Sequence, residues 1–206
     1  MLRRDFALSL LATGAALPAW AQRIAPKEGT EYIKLKQPVP VDVPAGQIEV
    51  LEFFAYSCVH CARFEPALEI WERNKPANAV LRRVPVAFSQ DFVPLQRLYY
   101  ALEAMGKVPS LHAKVFEAIH GQRLPLNAAA PIAEWAVRQG LDRATFVGHY
   151  NHPDTTEKAR RAAQLQDAYG VEGTPALGVA GRYYIPGQGD RTLNIANALI
   201  AQSRQS

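Results

Sequence analysis

Cysteine is scarce in this chain, whose 206 residues include only Cys58 and Cys61. Proteins held together by disulfides usually carry several cystines at wide spacing, so a disulfide-stapled fold is not indicated. A disulfide between these two residues would close a ring of four residues and stabilise the fold by about 2 kcal/mol in the chain-entropy model. The pair is a weak staple, which leaves three alternatives: a passive cystine, a shared metal ion, or disulfide exchange with another protein.

The chain also has little excess charge, with 23 basic and 19 acidic side chains. Without residues 1–21, 21 basic and 18 acidic side chains remain, a net charge of +3. The basic residues are scattered rather than arranged in a stripe. The sequence therefore gives no indication of nucleic-acid binding.

Hydrophobic runs long enough to cross a bilayer are absent. The first residues instead resemble an export signal, because Arg3 and Arg4 precede a short apolar stretch that ends in an A-x-A cleavage site. We therefore predict a signal peptide over residues 1–21, cleaved near Ala21, by a Sec or twin-arginine route. Export places the mature chain where disulfides persist.

The sequence before and after the cysteines predicts a β-α-β unit. Residues 48–54 are rich in β-branched and aromatic residues, which favours a buried strand. Helical spacing follows over residues 59–73, with Ser57 as the expected N-cap, so that Cys58 lies at the helix N-terminus. Residues 79–88 alternate like a second strand, and a helix between two such strands predicts that they are parallel.

Strand patterns flank a block of helical patterns. Residues 89–169 carry helical spacing only, and strands return at residues 176–180 and 183–185, with a tight turn at Gly181 and Arg182. The economical assembly is one α/β sheet domain formed by residues 22–88 and 170–206, with the helices of residues 89–169 inserted in its middle.

The position of Cys58 favours disulfide exchange, which requires a thiolate. A helix N-terminus and a neighbouring imidazole, here His60, both lower the pKa of a thiol. A stabilised thiolate makes the disulfide easier to reduce and the oxidised protein a stronger oxidant. Cys61 lies one turn further and faces the core, so Cys58 is expected to form the mixed disulfide and Cys61 to resolve it.

A metal site is not expected. Structural zinc needs about four ligands, and besides His60 the chain offers four histidines. Two of them, His149 and His152, lie close together but in another segment. We predict neither a metal nor any cofactor other than the disulfide.

Glu52 is an acid inside an apolar strand, six residues before Cys58. Burying a carboxylate is costly unless the group is paired or has a chemical task. One interpretation places Glu52 below the cysteine pair, where it accepts the proton of Cys61 through water. The other places it at an open strand end in a surface ion pair. The residues alone leave both open.

Pro175 is expected to begin a strand, where proline is tolerated at the first residue. A cis bond before it would turn the backbone of Thr174 outward, ready to pair with an extended peptide. From sequence alone, a cis bond is the minority outcome for any X-Pro pair.

Taken together, these motifs resemble a known family. Two phenylalanines leading into a Cys-x-x-Cys motif, with Gly-Thr-Pro-Ala later in the chain, are similar to the thioredoxin superfamily. The helical insert, the Cys-x-His-Cys form and the export signal resemble its DsbA branch, the periplasmic thiol:disulfide oxidoreductases. The resemblance implies a thioredoxin fold interrupted by an inserted all-helical domain.

The resemblance also implies a role for each motif residue. It makes Cys58 the nucleophile, Cys61 the resolving cysteine and His60 the thiolate stabiliser. It makes Glu52 the buried acid and Pro175 a cis-proline preceded by Thr174. Val59 departs from the family, in which proline is common at this position. The change is expected to make the disulfide less oxidising and to affect recognition by the membrane protein that reoxidises members of this family.

The function implied is that of a monomeric periplasmic dithiol oxidase. It would donate its disulfide to newly exported, unfolded polypeptides and be reoxidised by a DsbB-like membrane protein that passes electrons to quinone. The alternatives are a disulfide isomerase, a dedicated thiol reductant, or a peptide-binding chaperone module with non-essential cysteines.

Overall fold

The computed structural model describes residues 25–204. The predicted signal peptide, residues 1–21, lies outside the described residues. Within the described part of the chain, no helix is both long and apolar enough to cross a membrane.

A mixed five-stranded sheet organises the fold, and its strand order is β1-β5-β4-β2-β3. β2 and β3 are parallel, as the predicted β-α-β unit requires, and the other neighbouring pairs are antiparallel. All seven residues of β2 are buried, which explains its almost continuous apolar sequence. The strands are β1 (Ile33–Lys34), β2 (Ile48–Phe54), β3 (Ala79–Pro85), β4 (Ala176–Val179) and β5 (Tyr183–Pro186).

Seven α-helices surround this sheet in the described residues. The crossover helix α1 packs beside the closing helix α7, and α2 to α6 all lie between β3 and β4 in the chain. The α/β fold with a helical insertion is thereby confirmed, while the limits at residues 88/89 and 169/170 stay a prediction. The helices are α1 (Val59–Asn74), α2 (Val93–Ala104), α3 (Val108–Phe116), α4 (Ala129–Arg138), α5 (Arg143–Asn151), α6 (Pro153–Tyr169) and α7 (Asp190–Ser203).

Two local expectations from the sequence are wrong. The β4–β5 turn is centred on Ala180 and Gly181, which both have positive φ, and not on Gly181 and Arg182. The N–H of Arg182 closes this turn by donating to the carbonyl of Val179 at 3.0 Å. The second strand is also shorter than residues 79–88: it ends at Pro85, and the N–H of Val86 makes one further bond to the carbonyl of Phe54 at 2.8 Å.

The helical block shares its core with the end of β2. The ring of Phe54 lies 5.4 Å from that of Tyr99 on α2 and 6.1 Å from that of Phe116 on α3, measured between centroids. The turn that follows Phe54 leads directly to Cys58. The helical insert therefore packs against the strand end that positions the cysteine pair.

Candidate active site

Cys58 caps the helix that carries the cysteine pair. Its backbone N–H donates to the carbonyl of Ala55 at 3.0 Å, and its sulfur accepts the N–H of Cys61 at 3.3 Å. Cys58 is therefore the N-cap of α1. The expectation that Ser57 would be the cap is wrong: the sulfur itself pairs with one of the helix's free N–H groups.

The register of the sheet brings Thr174 to this sulfur. Phe53 pairs with Ala176, so the residues just before β4 lie beside the turn that follows β2. The Thr174–Pro175 bond is cis, and the sulfur of Cys58 lies 3.3 Å from the carbonyl oxygen of Thr174. β4 begins at Ala176, the predicted start of the strand over residues 176–180, and Pro175 lies directly before it.

The pKa values of the two thiols are shifted from that of an ordinary cysteine in opposite directions. A hydrogen bond from the thiol of Cys61 is the largest cause that lowers the pKa of Cys58, to about 5. The side chain of Thr174 and the N–H groups of Cys61 and His60 add to this, against partial burial. The same hydrogen bond, together with burial, raises the pKa of Cys61. The contact with the Thr174 carbonyl is available only to a protonated Cys58, because a thiolate cannot donate.

A pH dependence of stability follows for the reduced protein. The pKa of Cys58 is about 5 in the folded chain, below that of an unfolded cysteine, so the unfolded state binds the extra proton between these values. The contribution of Cys58 to the free energy of unfolding is therefore fully present above about pH 8.5 and is lost as pH falls through 5. We expect the stability advantage over Cys58→Ser, measured by urea unfolding under reducing conditions, to grow from pH 5 to 8. An advantage that is constant with pH would contradict the lowered pKa.

His60 lies on the exposed side of the motif. Its backbone N–H contributes to the lowered pKa of Cys58. A stabilising role for its imidazole stays a prediction.

Replacing His60 with serine tests that role. Because exposed charges interact weakly, by about 1 kcal/mol or less, we expect the pKa of Cys58 to rise by less than about one unit. The redox potential should fall by no more than about 30 mV. The rate of Cys58 alkylation against pH measures the pKa, with His60→Lys as the charge-retaining control. An unchanged pKa in both variants would mean that the imidazole of His60 does not stabilise the thiolate.

A cleft of about 830 Å³ lies between the N-terminal part of α1 and the cis-proline. Its lining includes His60, Phe64, Thr174, Pro175 and Tyr184. Gly187 closes one side, and a Cβ atom there would lie 2.4 Å from the carbonyl oxygen of Pro175. Only glycine allows this close approach.

Val59 lies beside a second cleft. It is 42% exposed and lines a groove between α1 and α3. A valine in this position leaves apolar surface available beside the reactive sulfur.

Glu52 is fully buried, so the surface ion pair considered above is wrong. Its exposed fraction is 0%, and Oε2 lies 3.2 Å from Nε of Arg83 on the neighbouring strand. Burial is the largest cause that raises the pKa of Glu52 well above its usual value, and the charge of Glu65 adds to it. A carboxyl group whose pKa is raised in this way holds its proton more readily than an exposed carboxyl group does.

Arg83 connects Glu52 to two further acids. Its guanidinium contacts Glu65 at 2.8 Å and Glu72 at 3.2 Å, both on α1. Although burial opposes it, hydrogen bonding to His112 and the charge of Arg83 lower the pKa of Glu65. The pKa values of the two buried carboxyl groups are therefore shifted in opposite directions. Glu65 is charged, and Glu52 favours its protonated form.

Two histidines of the helical insert reach the turn before Cys58. Nδ1 of His112 lies 2.7 Å from the hydroxyl of Tyr56, and its Nε2 lies 3.4 Å from Oε2 of Glu65. Nε2 of His120 donates to the carbonyl of Tyr56 at 2.8 Å. The insert thus holds Tyr56 by both its side chain and its backbone.

Three residues of this network, Arg83, Glu65 and His112, are not among those predicted from the sequence. Arg83 is the register partner of Glu52 on β3, which a correct pairing of the two strands would have indicated. Glu65 lies one turn after Cys61 on the buried face of α1. His112 is contributed by α3, and no sequence spacing links it to the cysteine motif.

Glu52, Glu65 and His112 have potential ligand atoms within 4.8 Å of one another. The Arg83 guanidinium contacts both carboxylates and already supplies a positive charge there. Among the described residues, both oxygens of Glu52, Oε2 of Glu65 and Nε2 of His112 have no hydrogen-bond partner, so the cluster is held by charge and not by a closed hydrogen-bond network.

A thioredoxin-type sheet, a Cys-x-x-Cys motif at a helix N-terminus and an adjacent cis-proline define a thiol:disulfide oxidoreductase. Residues 49–199 match the family model described as a DSBA-like thioredoxin domain. The chain belongs to this family.

Curated relatives agree with this assignment. The thiol:disulfide interchange protein DsbA of Bordetella parapertussis is 41% identical over 93% of both chains. The protein of the same name from Bordetella pertussis is 43% identical over 85% of each chain. A crystal structure of Pseudomonas aeruginosa DsbA is 34% identical, with a TM-score of 0.83 over 87% of this chain and 95% of that one.

Proposed function

We propose that this enzyme is a periplasmic dithiol oxidase that donates a Cys58–Cys61 disulfide to newly exported polypeptides. The observation that supports this direction is the opposite shift of the two thiol pKa values. A Cys58 thiolate that is stable at neutral pH favours the reduced form of the pair, so the disulfide is readily given away.

Donation proceeds in two exchanges. A substrate thiolate attacks Cys58 Sγ, the Cys58–Cys61 bond breaks, and Cys61 leaves as a thiolate that takes up a proton from Glu52 through water. A second substrate thiolate then attacks the substrate's own sulfur, and Cys58 leaves as the thiolate. The substrate gains a disulfide and the enzyme gains two electrons. Burial of Cys61 supports these roles, since only Cys58 can be reached by another chain.

Reoxidation reverses the order of events. The Cys58 thiolate attacks a disulfide of a DsbB-like membrane protein, and Cys61 passes its proton to Glu52. Cys61 then attacks Cys58 Sγ and releases the partner's sulfur as a thiolate. The electrons continue to quinone through the partner, so the enzyme itself needs no other cofactor.

The cleft beside the cis-proline is the proposed contact for both partners. Thr174 offers its backbone to an extended peptide, Pro175 forms the cleft wall, and the exposed Val59 and His60 contact the partner next to Cys58. One chain carries all of these residues, and we propose that the enzyme acts as a monomer.

The redox potential against a glutathione series tests the direction of electron flow. An oxidase should equilibrate at a potential higher than about −180 mV, whereas a thioredoxin-like reductant lies near about −270 mV. A value at the reducing end would replace the oxidase by the reductant alternative.

A further inference from the structure

Glu52 has no route to solvent of its own. In the proposed function it gains or loses one proton each time the cysteine pair changes state, yet its exposed fraction is 0%. Another group must therefore carry that proton to and from water. The need for such a carrier rests on the proposed function.

His112 is placed to do so. Its ring, Glu65 and Glu52 have ligand-type atoms within 4.8 Å of one another, and Nε2 lies 3.4 Å from Glu65. When Nδ1–H donates to the hydroxyl of Tyr56 at 2.7 Å, Nε2 presents a lone pair toward the carboxylates. Among side chains, an imidazole is the one whose ordinary pKa lies near neutral pH.

A cavity connects this cluster to the surface. It measures about 360 Å³ and has both His112 and Glu65 in its wall. Glu72, another lining residue, is 37% exposed, so the cavity reaches solvent. The charged and titratable groups facing His112 are Glu52 from β2, Tyr56 from the following turn, Glu65, Glu69, Glu72 and Arg73 from α1, Arg83 from β3, and Tyr99 from α2.

We propose that His112, acting with Glu65, carries protons between Glu52 and the solvent of this cavity. During reoxidation, Glu52 receives the proton of Cys61 and passes it through Glu65 to Nε2 of His112. The imidazolium is held by the Glu65 carboxylate and releases the proton to water. During donation to substrate, the proton follows the same path inward. His112 is a relay residue, since it touches neither sulfur.

The test isolates the proton-dependent step of reoxidation. Reduced enzyme is mixed with oxidised glutathione, quenched with acid at successive times, and analysed by mass for the glutathione adduct and the internal disulfide. His112→Asn should form the adduct at the wild-type rate, because Cys58 is unaffected. Conversion to the internal disulfide should slow by about tenfold to a hundredfold at pH 7. Free imidazole in the buffer should restore part of that rate.

Matched variants separate a proton relay from a purely structural role of His112. His149→Asn, which removes an imidazole from α5, should convert at the wild-type rate. Glu65→Gln interrupts the same path from α1 and should slow conversion even if His112→Asn does not fold. A His112→Asn enzyme with a changed redox potential or adduct rate would show a structural role and overturn the relay.

Glu52→Gln distinguishes this proposal from the proposed function. If Glu52→Gln slows conversion and His112→Asn does not, the relay is wrong and the role of Glu52 stands. If neither variant slows conversion, the role of Glu52 in the proposed function fails as well.

Discussion

Cys61→Ala is expected to stop at a stable mixed disulfide, whereas Cys58→Ala is expected to lose disulfide exchange. The lowered pKa of about 5 keeps Cys58 almost entirely ionised at neutral pH. Cys61 is fully buried and its pKa is raised, so it neither meets a second molecule nor ionises readily. Removing Cys61 removes the resolving thiol and the hydrogen bond that most lowers the pKa of Cys58, while the backbone N–H groups that also lower it remain, so Cys58 can still attack.

Mass spectrometry after treatment of the reduced variants with oxidised glutathione checks this contrast. Cys61→Ala should gain one glutathione and keep it, Cys58→Ala should gain none, and the wild type should finish as the internal disulfide. An adduct on Cys61 in the Cys58→Ala variant would contradict the proposed order of attack. Full retention of cellular activity by Cys58→Ala would instead support a peptide-binding chaperone.

Arg83→Met is expected to destabilise the protein by about 3–5 kcal/mol at pH 7, because it leaves buried carboxylates without their counter-ion. Arg83 contacts Glu52, Glu65 and Glu72 together, and two of these acids are buried. Urea unfolding of the reduced proteins measures the effect.

The destabilisation caused by Arg83→Met should be larger at high pH than at low pH. Without Arg83, the folded-state pKa of Glu65 rises above that of the unfolded chain, so the folded variant binds the extra proton and its stability improves as pH falls. The difference from wild type should therefore be smaller at pH 5 than at pH 8. Arg161→Met is the control, since it breaks an ion pair with Glu157 that is exposed to solvent and therefore contributes little to stability. A loss in Arg83→Met no larger than in this control would mean that Arg83 does not neutralise the buried acids.

The parts of the fold that could be predicted are those with a strong local pattern. Residues 48–54 predict β2 with its observed limits because they are apolar almost throughout, as a strand buried on both faces requires. The π-helical turn Glu117–Gly121 at the end of α3 has no such signal, since the spacing of residues 110–120 predicts one continuous helix. In this turn His120 donates to the carbonyl of Tyr56, a contact between distant segments that local propensity does not indicate.

The linear sequence was enough to predict the reactive motif, its position at a helix N-terminus, the buried acid Glu52 as one of two alternatives, and the resemblance to the DsbA branch. These depend on neighbouring residues and on periodicity, which a linear chain displays. The folded chain was needed to find that Thr174 contacts Cys58, that Arg83 contacts Glu52, and that His112 reaches both Glu65 and Tyr56. Those contacts join distant segments through strand register and helix packing, and side-chain electrostatics follow from distances that exist only once the chain has folded.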